Sequence, residues 1–400
     1  MKCMKLLEAF GLIHESYVTE ASPENEKKIS RGNASRLALR YGALAAALAL
    51  VILGGMQLYR QSLPQYATEM LSVSETDIGM GFEGYQVYEI SELRTDNPTD
   101  GKAITSLNAY RNTISYDERL YPYGQDLDAM KAYLLSLADK LGLDTDTLEI
   151  LDNAPGEGQM QGLIMEFASR GLEVPEYYKL PYIVYVQTEN YRIEVNADMT
   201  ATIFFTERPT LPAEYHFTHT STPEELAAAG EYLWSQYGDL VGYENPQMRI
   251  KGGNYSIEGT QSYSLAFYEG ERDKTENFEN YSFNRAEFAP DSDGKLYLIH
   301  IYSDAALEKI GLYPLISEEA AKALLLDGQY YTSVTEEFPG EDAVVRCELM
   351  YRAGSKDKIL LPFYRFYVLL ENAPGMHLYP DGMQTYGAYY VPAVDPAYLQ

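Results

Sequence analysis

The chain has 400 residues, of which 46% are hydrophobic, and its formal net charge at pH 7 is −28. The hydrophobic fraction suffices for packed cores, which excludes an intrinsically disordered chain, and the length allows two or three domains. A surface this acidic repels polyanions, so nucleic acid is excluded as a partner. The charge is expected to keep an exported domain soluble.

Residues 1–40 are predicted to form a cytoplasmic tail, in which a short amphipathic helix precedes a basic linker. Residues 2–12 place five apolar side chains on one helical face, namely Met4, Leu6, Leu7, Phe10 and Leu12. A tail of this length is too short to bury a core of its own. Its apolar face is therefore expected to rest on the membrane surface or on a cytoplasmic partner protein, and a helix without a partner is the alternative.

Residues 41–59 read YGALAAALALVILGGMQLY and contain no charge. As a helix they would span about 28 Å, close to the bilayer's hydrocarbon core of about 30 Å. The stretch is predicted to be a single transmembrane helix in contact with the lipid bilayer. A cleaved signal peptide and a buried core helix are the alternatives. The long segment before the stretch argues against the first, and its lack of a polar face argues against the second.

The charges on either side of this stretch predict its orientation. Five basic residues precede it: Lys27, Lys28, Arg31, Arg36 and Arg40. After Arg60, the next charged residues are acidic: Glu69, Glu75 and Asp77. Basic residues stay on the cytoplasmic side, so the N-terminus is predicted to lie inside and the larger part outside the cell.

The outer part is predicted to be α+β, with helices packed on antiparallel sheets. A juxtamembrane stalk at 60–80 precedes three units at 81–215, 216–312 and 313–400, which are possible repeats of a helix and a sheet. In the first unit, strands are expected at 82–93, 103–110, 182–187, 191–195 and 201–205, and a helix at 126–141.

The second and third units are each predicted to begin with a helix. Thr222 and Glu225 form a capping box for a helix to about residue 237, and Ser317 begins a helix that stops at Gly328. Strands are expected near 248–258, 262–269, 281–289, 295–302, 343–352, 361–370 and 385–394.

Two stretches resemble PepSY-like modules, which are small helix-plus-sheet units of exported bacterial proteins: Y-x-I-x-V-N-A-D at 191–198 and ISEEAAKALLL at 316–326. The layout of tail, single span and Tyr-rich outer domain resembles poorly characterised single-pass membrane proteins of Gram-positive, Clostridia-type bacteria. Some membrane proteins of this shape are anti-sigma factors. The zinc-type pattern of those proteins needs His and a closely spaced Cys pair, whereas this tail has only Cys3 and His14.

The predicted topology separates the only two cysteines, because Cys3 would be cytoplasmic and Cys347 outside. They therefore cannot pair, and the outer part is expected to contain no intramolecular disulfide.

Two short motifs match catalytic or cofactor patterns without the required context. Residues 79–84 match G-x-G-x-x-G, but they follow a predicted stalk and lead into a predicted strand, so no dinucleotide site is expected. Ser355 and Lys358 fit S-x-x-K in a predicted loop instead of a helix, so no catalytic residue is assigned to them.

Two further groups resemble parts of metal sites. His216 and His219 form H-x-x-H in a stretch expected to be extended, where residues three apart face opposite ways. Asp291, Asp293 and Gly294 match part of a calcium-binding loop, but a hairpin turn explains these residues adequately. No metal ligand and no cofactor is predicted.

Tyrosine is unusually frequent, with 37 residues. The pairs at 177–178, 330–331 and 389–390 would line a sugar- or peptide-binding face, although structural use in strands is the alternative. The sequence as a whole predicts a membrane-anchored, non-enzymatic protein that binds or senses an envelope ligand and has a regulatory tail. An envelope accessory or scaffold protein with an inert tail, and a cell-surface hydrolase without a recognisable motif, are the alternatives.

Overall fold

The computed structural model describes residues 64–73, 85–89, 98, 104–218, 221–256, 259, 261–291, 293–352, 357–371, 379 and 382–400. The account below concerns the unit formed by residues 66–400. The predicted tail at 1–40 and the predicted span at 41–59 lie outside the described residues. Among the residues that are described, no helix combines the length and the apolar character needed to cross a bilayer.

The described residues contain five α-helices. They are α1 Leu127–Lys140, α2 Glu157–Ser169, α3 Pro223–Tyr237, α4 Lys274–Phe283 and α5 Glu318–Leu326.

Side-chain caps explain where the predicted helices begin. Asp126 accepts hydrogen bonds from two main-chain N–H groups in the first turn of α1. Thr222 and Glu225 form the predicted capping box of α3, and Ser317 caps α5. Each cap satisfies N–H groups that have no partner within the helix. The helices predicted to begin at these three positions are therefore confirmed.

The strands are β1 Tyr85–Tyr88, β2 Ser106–Asn112, β3 Ser115–Tyr116, β4 Pro122–Tyr123, β5 Leu151–Asp152, β6 Ile183–Gln187, β7 Tyr191–Asn196, β8 Ala201–Phe205, β9 Pro246–Tyr255, β10 Gln261–Glu269, β11 Arg285–Pro290, β12 Leu296–Ile301, β13 Leu307–Pro314, β14 Val344–Tyr351, β15 Ile359–Leu360, β16 Pro362–Leu369 and β17 Gln384–Pro392. All the pairings between them are antiparallel, which confirms the predicted α+β class with antiparallel sheets.

Twelve strands form one large sheet in the order β14-β16-β17-β1-β9-β10-β11-β12-β8-β7-β6-β5. Among the described residues, the pair of Tyr88 with Asn254 joins β1 to β9. The sheet therefore has a four-stranded part and an eight-stranded part. A three-stranded sheet, β13-β2-β15, and the small pair β3-β4 complete the architecture.

Two neighbouring cross-strand rows show why the eight-stranded part has two different faces. One row is entirely apolar: Val184, Val195, Ala201, Ile301, Ala286, Phe267 and Met248. The next row carries polar and charged residues at most positions: Tyr185, Glu194, Thr202, His300, Glu287, Ala266 and Arg249. Successive residues of a strand face opposite sides, so the apolar row covers one face only.

Helices α1 and α3 pack on the apolar face of the eight-stranded part. Met130, Leu134 and Leu137 of α1 share one core with Leu226 and Leu233 of α3 and with the apolar strand residues. These side chains recur at helical spacing, which predicts such a buried stripe.

The four-stranded part is covered on both faces. Ala321 and Leu325 of α5 pack against Phe366 and Val368 of β16, which face one side. On the other side, Phe363 and Tyr390 pack with Ala109 and Tyr313 of the three-stranded sheet. This region is a three-layer arrangement of a helix and two sheets.

The structure corrects one element prediction. The strand expected from residue 281 begins at Arg285, because α4 continues to Phe283 and is capped at its start by Asp273. The composition of α4, KTENFENYSF, is too polar to give an apolar stripe. Its buried residues are Phe278, Glu279 and Phe283. The predicted division into three repeated units stays a prediction.

Candidate functional site

Five tyrosines lie in ring contact beside the β3–β4 pair, and we call them the tyrosine cluster. Tyr121 stacks on Tyr178 with ring centroids 4.5 Å apart, and Tyr177 is 5.0 Å from Tyr178. Tyr123 is 4.9 Å from Tyr177, and Tyr182 is 5.1 Å from Tyr121. The predicted pair at 177–178 therefore belongs to a larger aromatic group.

Asp117 holds the tyrosine cluster in place. Its Oδ1 accepts hydrogen bonds from the main-chain N–H groups of Arg119 and Tyr121, at 2.9 and 2.8 Å. Its Oδ2 accepts from the hydroxyls of Tyr178 and, at 3.5 Å, Tyr177. Burial, together with the bond to Asp117, raises the pKa of Tyr178 well above its ordinary value. These hydrogen bonds hold the side chains of Tyr177 and Tyr178 in position.

Helix α2 contacts the tyrosine cluster through a single buried side chain. The ring centroid of Phe167 lies 5.3 Å from that of Tyr178, and Phe167 is the only buried residue of the helix. Arg119 forms an ion pair with Glu166 and lies 5.7 Å from the centre of the Phe167 ring. The rest of α2 thus contributes little to the core.

Beyond Glu157, which is exposed at its start, the exposed side of α2 carries no charge. Between residues 158 and 169 its exposed positions are Gly158, Gln159, Gln161, Gly162, Ile164, Met165, Ala168 and Ser169. Ile164 is 52% exposed and Met165 is 70% exposed. In a chain with a net charge of −28, a helix side without charge does not serve solubility.

Exposed apolar side chains are concentrated in this part of the chain. Of the eleven large apolar side chains exposed among the described residues, six lie between residues 123 and 180: Tyr123, Leu151, Ile164, Met165, Leu172 and Leu180. We call the outward side of α2 together with these residues and the tyrosine cluster the α2 surface. Groupings of this kind are typical of protein interfaces.

Two glycines in α2 have open space where a side chain would lie. A Cβ atom built on Gly158 or Gly162 would meet nothing within 4 Å. A glycine inside a helix costs about 0.5–1 kcal/mol relative to alanine. Their spacing of four residues places them on one side of the helix, where they present no side chain.

The other tyrosine pairs serve the core instead of a surface. Tyr331 and Tyr390 exchange two main-chain hydrogen bonds, at 2.9 and 2.8 Å. Tyr389 and Tyr390 are buried, and Tyr330 packs edge-on against Tyr389 with centroids 5.0 Å apart. For these two pairs, the alternative of a structural role, rather than a binding face, agrees with the positions of the tyrosines.

The candidate metal residues are not brought together among the residues that the structure describes. His216 is exposed, and His219 lies outside the described residues. Asp291 accepts the main-chain N–H groups of Asp293 and Lys295, at 2.9 and 3.0 Å, in the predicted turn. Partial burial alone would raise the pKa of Asp291, but the hydrogen bond from Arg208 and the turn outweigh it, so the pKa is lowered. No group of three or more ligating side chains occurs in the described ranges.

The remaining candidates carry no site in the described part of the chain. The G-x-G-x-x-G stretch at 79–84 lies outside it, and so does Ser355 of the S-x-x-K match. Cys347 is a free, half-buried thiol in β14, and burial raises its pKa. A neutral thiol of this kind is a poor nucleophile.

The polar face of the large sheet contains a buried ion-pair network. Glu287 Oε1 lies 2.6 Å from Arg285 Nε and also pairs with Lys251. Arg285 further donates to the carbonyl oxygen of Tyr281 at 3.0 Å and lies 3.7 Å from the centre of the Tyr302 ring. Burial alone would raise the pKa of Glu287, but Arg285 and Lys251 hold it at about 2.

Next to this network, His300 occupies the middle of the polar row. Its Nδ1 is 2.7 Å from the Thr202 hydroxyl, and burial lowers its pKa. His300 is therefore held in its neutral form near pH 7. The hydrogen bond and the ring contact with Tyr302 give it a structural place between β8 and β12.

A second buried carboxylate ties α4 to the three-stranded sheet. Glu279 accepts from Asn108 Nδ2 at 2.6 Å, from the Tyr110 hydroxyl at 2.8 Å and from the Tyr351 hydroxyl at 3.4 Å. Burial, together with the charge of Glu279, raises the pKa of Tyr110 well above its ordinary value. These neutral donors compensate the burial of the carboxylate.

Sequence reasoning missed α2 and its surface. The signal was present, because Met160, Leu163 and Phe167 recur at helical spacing, but glycines and glutamines between them weaken the pattern. Only coordinates show which apolar residues remain exposed. No protein family model and no curated protein matches this chain. The relation to PepSY-like modules stays a prediction.

Proposed function

We propose that this chain is a single-pass membrane protein, anchored by residues 41–59, whose extracytoplasmic α+β domain binds a second envelope protein through the α2 surface. The observation that carries the proposal is the concentration of exposed apolar side chains between residues 123 and 180. Large exposed apolar side chains are costly in solution, so their concentration in one stretch of the chain favours a binding surface there.

The chemistry of the α2 surface indicates the kind of partner. The exposed positions between Gly158 and Ser169 carry no charge, although Glu157 and Arg170 border them, so the middle of this side does not select a charged ligand. The absence of side chains at Gly158 and Gly162 would allow a helix to approach closely, and its apolar side chains would pack against Ile164 and Met165. At the edge, Tyr123 is exposed and supplies contact area with little loss of side-chain entropy, whereas Tyr178 is buried. The partner is therefore an envelope protein that presents an apolar helix.

The topology part of the proposal is supported by the charge-free stretch at 41–59 and by the basic residues that precede it. Protease treatment of intact spheroplasts, with tags at both ends of the chain, tests it. Digestion of the C-terminal tag with survival of the N-terminal tag is expected. Protection of the C-terminal tag would rule out the proposed orientation.

The binding part is tested by site-specific photocrosslinking of the full chain in its own membrane. A photoreactive residue at Met165 is expected to capture one defined protein. The same residue at Leu326, which is also exposed on a helix, is the matched control. The captured protein is then purified, and Met165→Glu is expected to weaken its binding at least about tenfold, whereas Leu326→Glu leaves binding unchanged. Equal capture at both positions, or equal binding by both variants, contradicts the proposal.

The cytoplasmic tail is proposed to report binding to a partner inside the cell. Polar, uncharged substitutions of Leu6, Leu7 and Phe10 separate this role from the scaffold alternative with an inert tail. If signalling is lost while the protein stays in the membrane and still binds outside, the tail acts through a partner. Unchanged signalling favours the scaffold. The hydrolase alternative has no supporting observation among the described residues.

A further inference from the structure

Residues 66–73, which directly follow the short connection from the proposed span, are packed into the fold. Leu71 is fully buried, and Ala67 packs against the same core, which includes residues of the three-stranded sheet and of β16 and β17. Main-chain bonds hold the segment, because Ala67 N donates to Leu312 O at 2.8 Å and Leu71 N donates to Tyr398 O at 2.8 Å. The segment therefore has one position on the fold.

The neighbouring strand β13 makes room for this segment. A Cβ atom built on Gly311 would lie 2.9 Å from the Cβ atom of Ala67, which is closer than carbon atoms pack. On the other side, Leu71 O accepts the main-chain N–H of Gln400 at 3.0 Å. The position of the segment thus depends on a glycine in β13 and on main-chain bonds to two other parts of the chain.

The exposed side of the segment carries no charge. Because Ala67 and Leu71 turn into the core, the side chains between them turn away from it. Four alternate positions are exposed and uncharged, and we call them the juxtamembrane row: Tyr66, Thr68, Met70 and Ser72. Two of them are large and apolar, since Tyr66 is 37% exposed and Met70 is 42% exposed.

The fold binds the one charged residue between positions 66 and 73. Glu69 Oε1 lies 2.7 Å from Arg111 Nη2, and the Glu69 carbonyl oxygen accepts the hydroxyl of Tyr313 at 3.1 Å. Arg111 Nε also lies 3.8 Å from Glu308. In a chain with a net charge of −28, the pair with Arg111 offsets the charge that the segment would bring to an anionic surface.

The length of chain before the segment limits its distance from the lipid. The proposed span ends at Tyr59, and residues 60–65 connect it to Tyr66. Six residues reach at most about 20 Å when fully extended. Part of this length crosses the headgroup layer, because a bilayer of about 40–45 Å has a hydrocarbon core of about 30 Å. The connection is too short to hold the juxtamembrane row far from the headgroups.

We infer that the juxtamembrane row is a lipid-contact surface that lies on the outer leaflet of the bilayer. This inference rests on the proposed function, because it requires residues 41–59 to be the anchor, but it does not involve the α2 surface. Tyr66 has an apolar ring with a polar tip, which suits the level of the headgroups, and Met70 adds an apolar contact there. The hydroxyls of Thr68 and Ser72 can donate to headgroup oxygens.

A second protein is the alternative occupant of the juxtamembrane row. The short connection favours the bilayer, because it keeps the row beside lipid whether or not a protein partner is present. Experiments on the purified chain in vesicles separate the two occupants, since such vesicles contain lipid and no other protein.

The test uses the full chain in vesicles of phosphatidylcholine and phosphatidylglycerol. Cys3→Ser and Cys347→Ala remove the only two native thiols, and Met70→Cys then carries a fluorophore. Leu326→Cys is the matched control, because Leu326 is 43% exposed and ends α5, which packs on the opposite face of the four-stranded part. Lipids with a nitroxide at headgroup level quench fluorophores that lie beside them.

We expect these lipids to quench the fluorophore at Met70 several-fold more than the one at Leu326. Tyr66→Glu adds a charge to the juxtamembrane row and is expected to reduce the quenching at Met70. Leu326→Glu, with the fluorophore at Met70, is expected to leave it unchanged. Unchanged fluorescence of Trp234, which lies in the core of the eight-stranded part, shows that each variant is folded.

Flotation of the vesicles separates failure of this inference from failure of the proposed function. A chain that floats with the vesicles but is quenched equally at Met70 and Leu326 keeps its anchor and overturns the lipid contact. Equal quenching at Met70 with and without Tyr66→Glu overturns the role of the juxtamembrane row. A chain that does not float has no anchor at residues 41–59, and the proposed topology then fails together with the lipid contact.

Discussion

Helices α1 and α2 differ in what they do for the fold, although they are almost equal in length. Helix α1 buries Met130, Leu134 and Leu137 on the large sheet, whereas α2 buries Phe167 alone and leaves Met165 70% exposed. The difference teaches that one helix is part of the core and the other is attached to it. Burial of its apolar side chains stabilises α1 in the fold, whereas the apolar side chains of α2 stay exposed and are available to a partner.

The largest expected effect concerns the ion pairs, one in the core of the large sheet and one beside α2. Glu287→Gln leaves Arg285 and Lys251 without their shared carboxylate, whose side chain is 15% exposed. We expect the free energy of unfolding to fall by about 3–5 kcal/mol. Glu166→Gln, which removes a 40% exposed partner of Arg119 beside α2, is expected to cost less than about 1 kcal/mol.

Urea unfolding followed by fluorescence measures both variants, because Trp234 is the only tryptophan and stacks on Phe267 in the core. Equal losses in the two variants would contradict the distinction between the core and the α2 region.

Truncation of apolar side chains gives the second contrast. Leu134→Ala removes a fully buried side chain of α1 and is expected to lower the free energy of unfolding by about 2–5 kcal/mol. Met165→Ala removes an exposed side chain and is expected to change it by less than about 0.5 kcal/mol. Thermal melting of both proteins checks the difference. A substantial loss in the Met165 variant would mean that α2 is more firmly packed than its exposure indicates.

Acid should act on the core through Glu287. Its pKa is about 2 in the folded protein against an ordinary value of 4.5, so between these values the unfolded chain binds the extra proton. The contribution of Glu287 is complete above about pH 4.5 and is lost as the pH falls toward 2, by up to about 3 kcal/mol. Unfolding free energies measured over this window should fall less steeply in Glu287→Gln than in the unsubstituted protein. Parallel curves would show that the pair does not lower this pKa.

The smallest expected effects come from two helical glycines. Gly162→Ala in α2 places a methyl group in open space and is expected to raise the free energy of unfolding by about 0.5–1 kcal/mol. Gly230→Ala in α3 places it against Met248 and is expected to lower that free energy by about 1–3 kcal/mol. Calorimetry of both variants tests the signs. A stabilised Gly162 variant that binds the partner less tightly would also support close approach at the α2 surface.

The local sequence was sufficient for elements whose signals are contiguous. Three such features depend on residues within one helix or hairpin: the apolar stripe and cap of α1, the capping box of α3, and the Asp-Gly turn between β11 and β12. Local chemistry decides these features, so they could be predicted. The polar helix α4 and the glycine-containing helix α2 gave weak periodic signals, and their positions depend on what they pack against.

The tertiary structure alone decided which residues of one type serve the core and which remain at the surface. Tyr177 and Tyr389 each belong to a Tyr-Tyr pair, yet Tyr177 lies in the surface cluster held by Asp117 and Tyr389 is fully buried. By itself, the sequence determined the acidic composition, the charge-free stretch at 41–59, the helix caps and the α+β class. It could not determine exposure or the twelve-stranded order, because these depend on contacts between residues that are far apart in the chain.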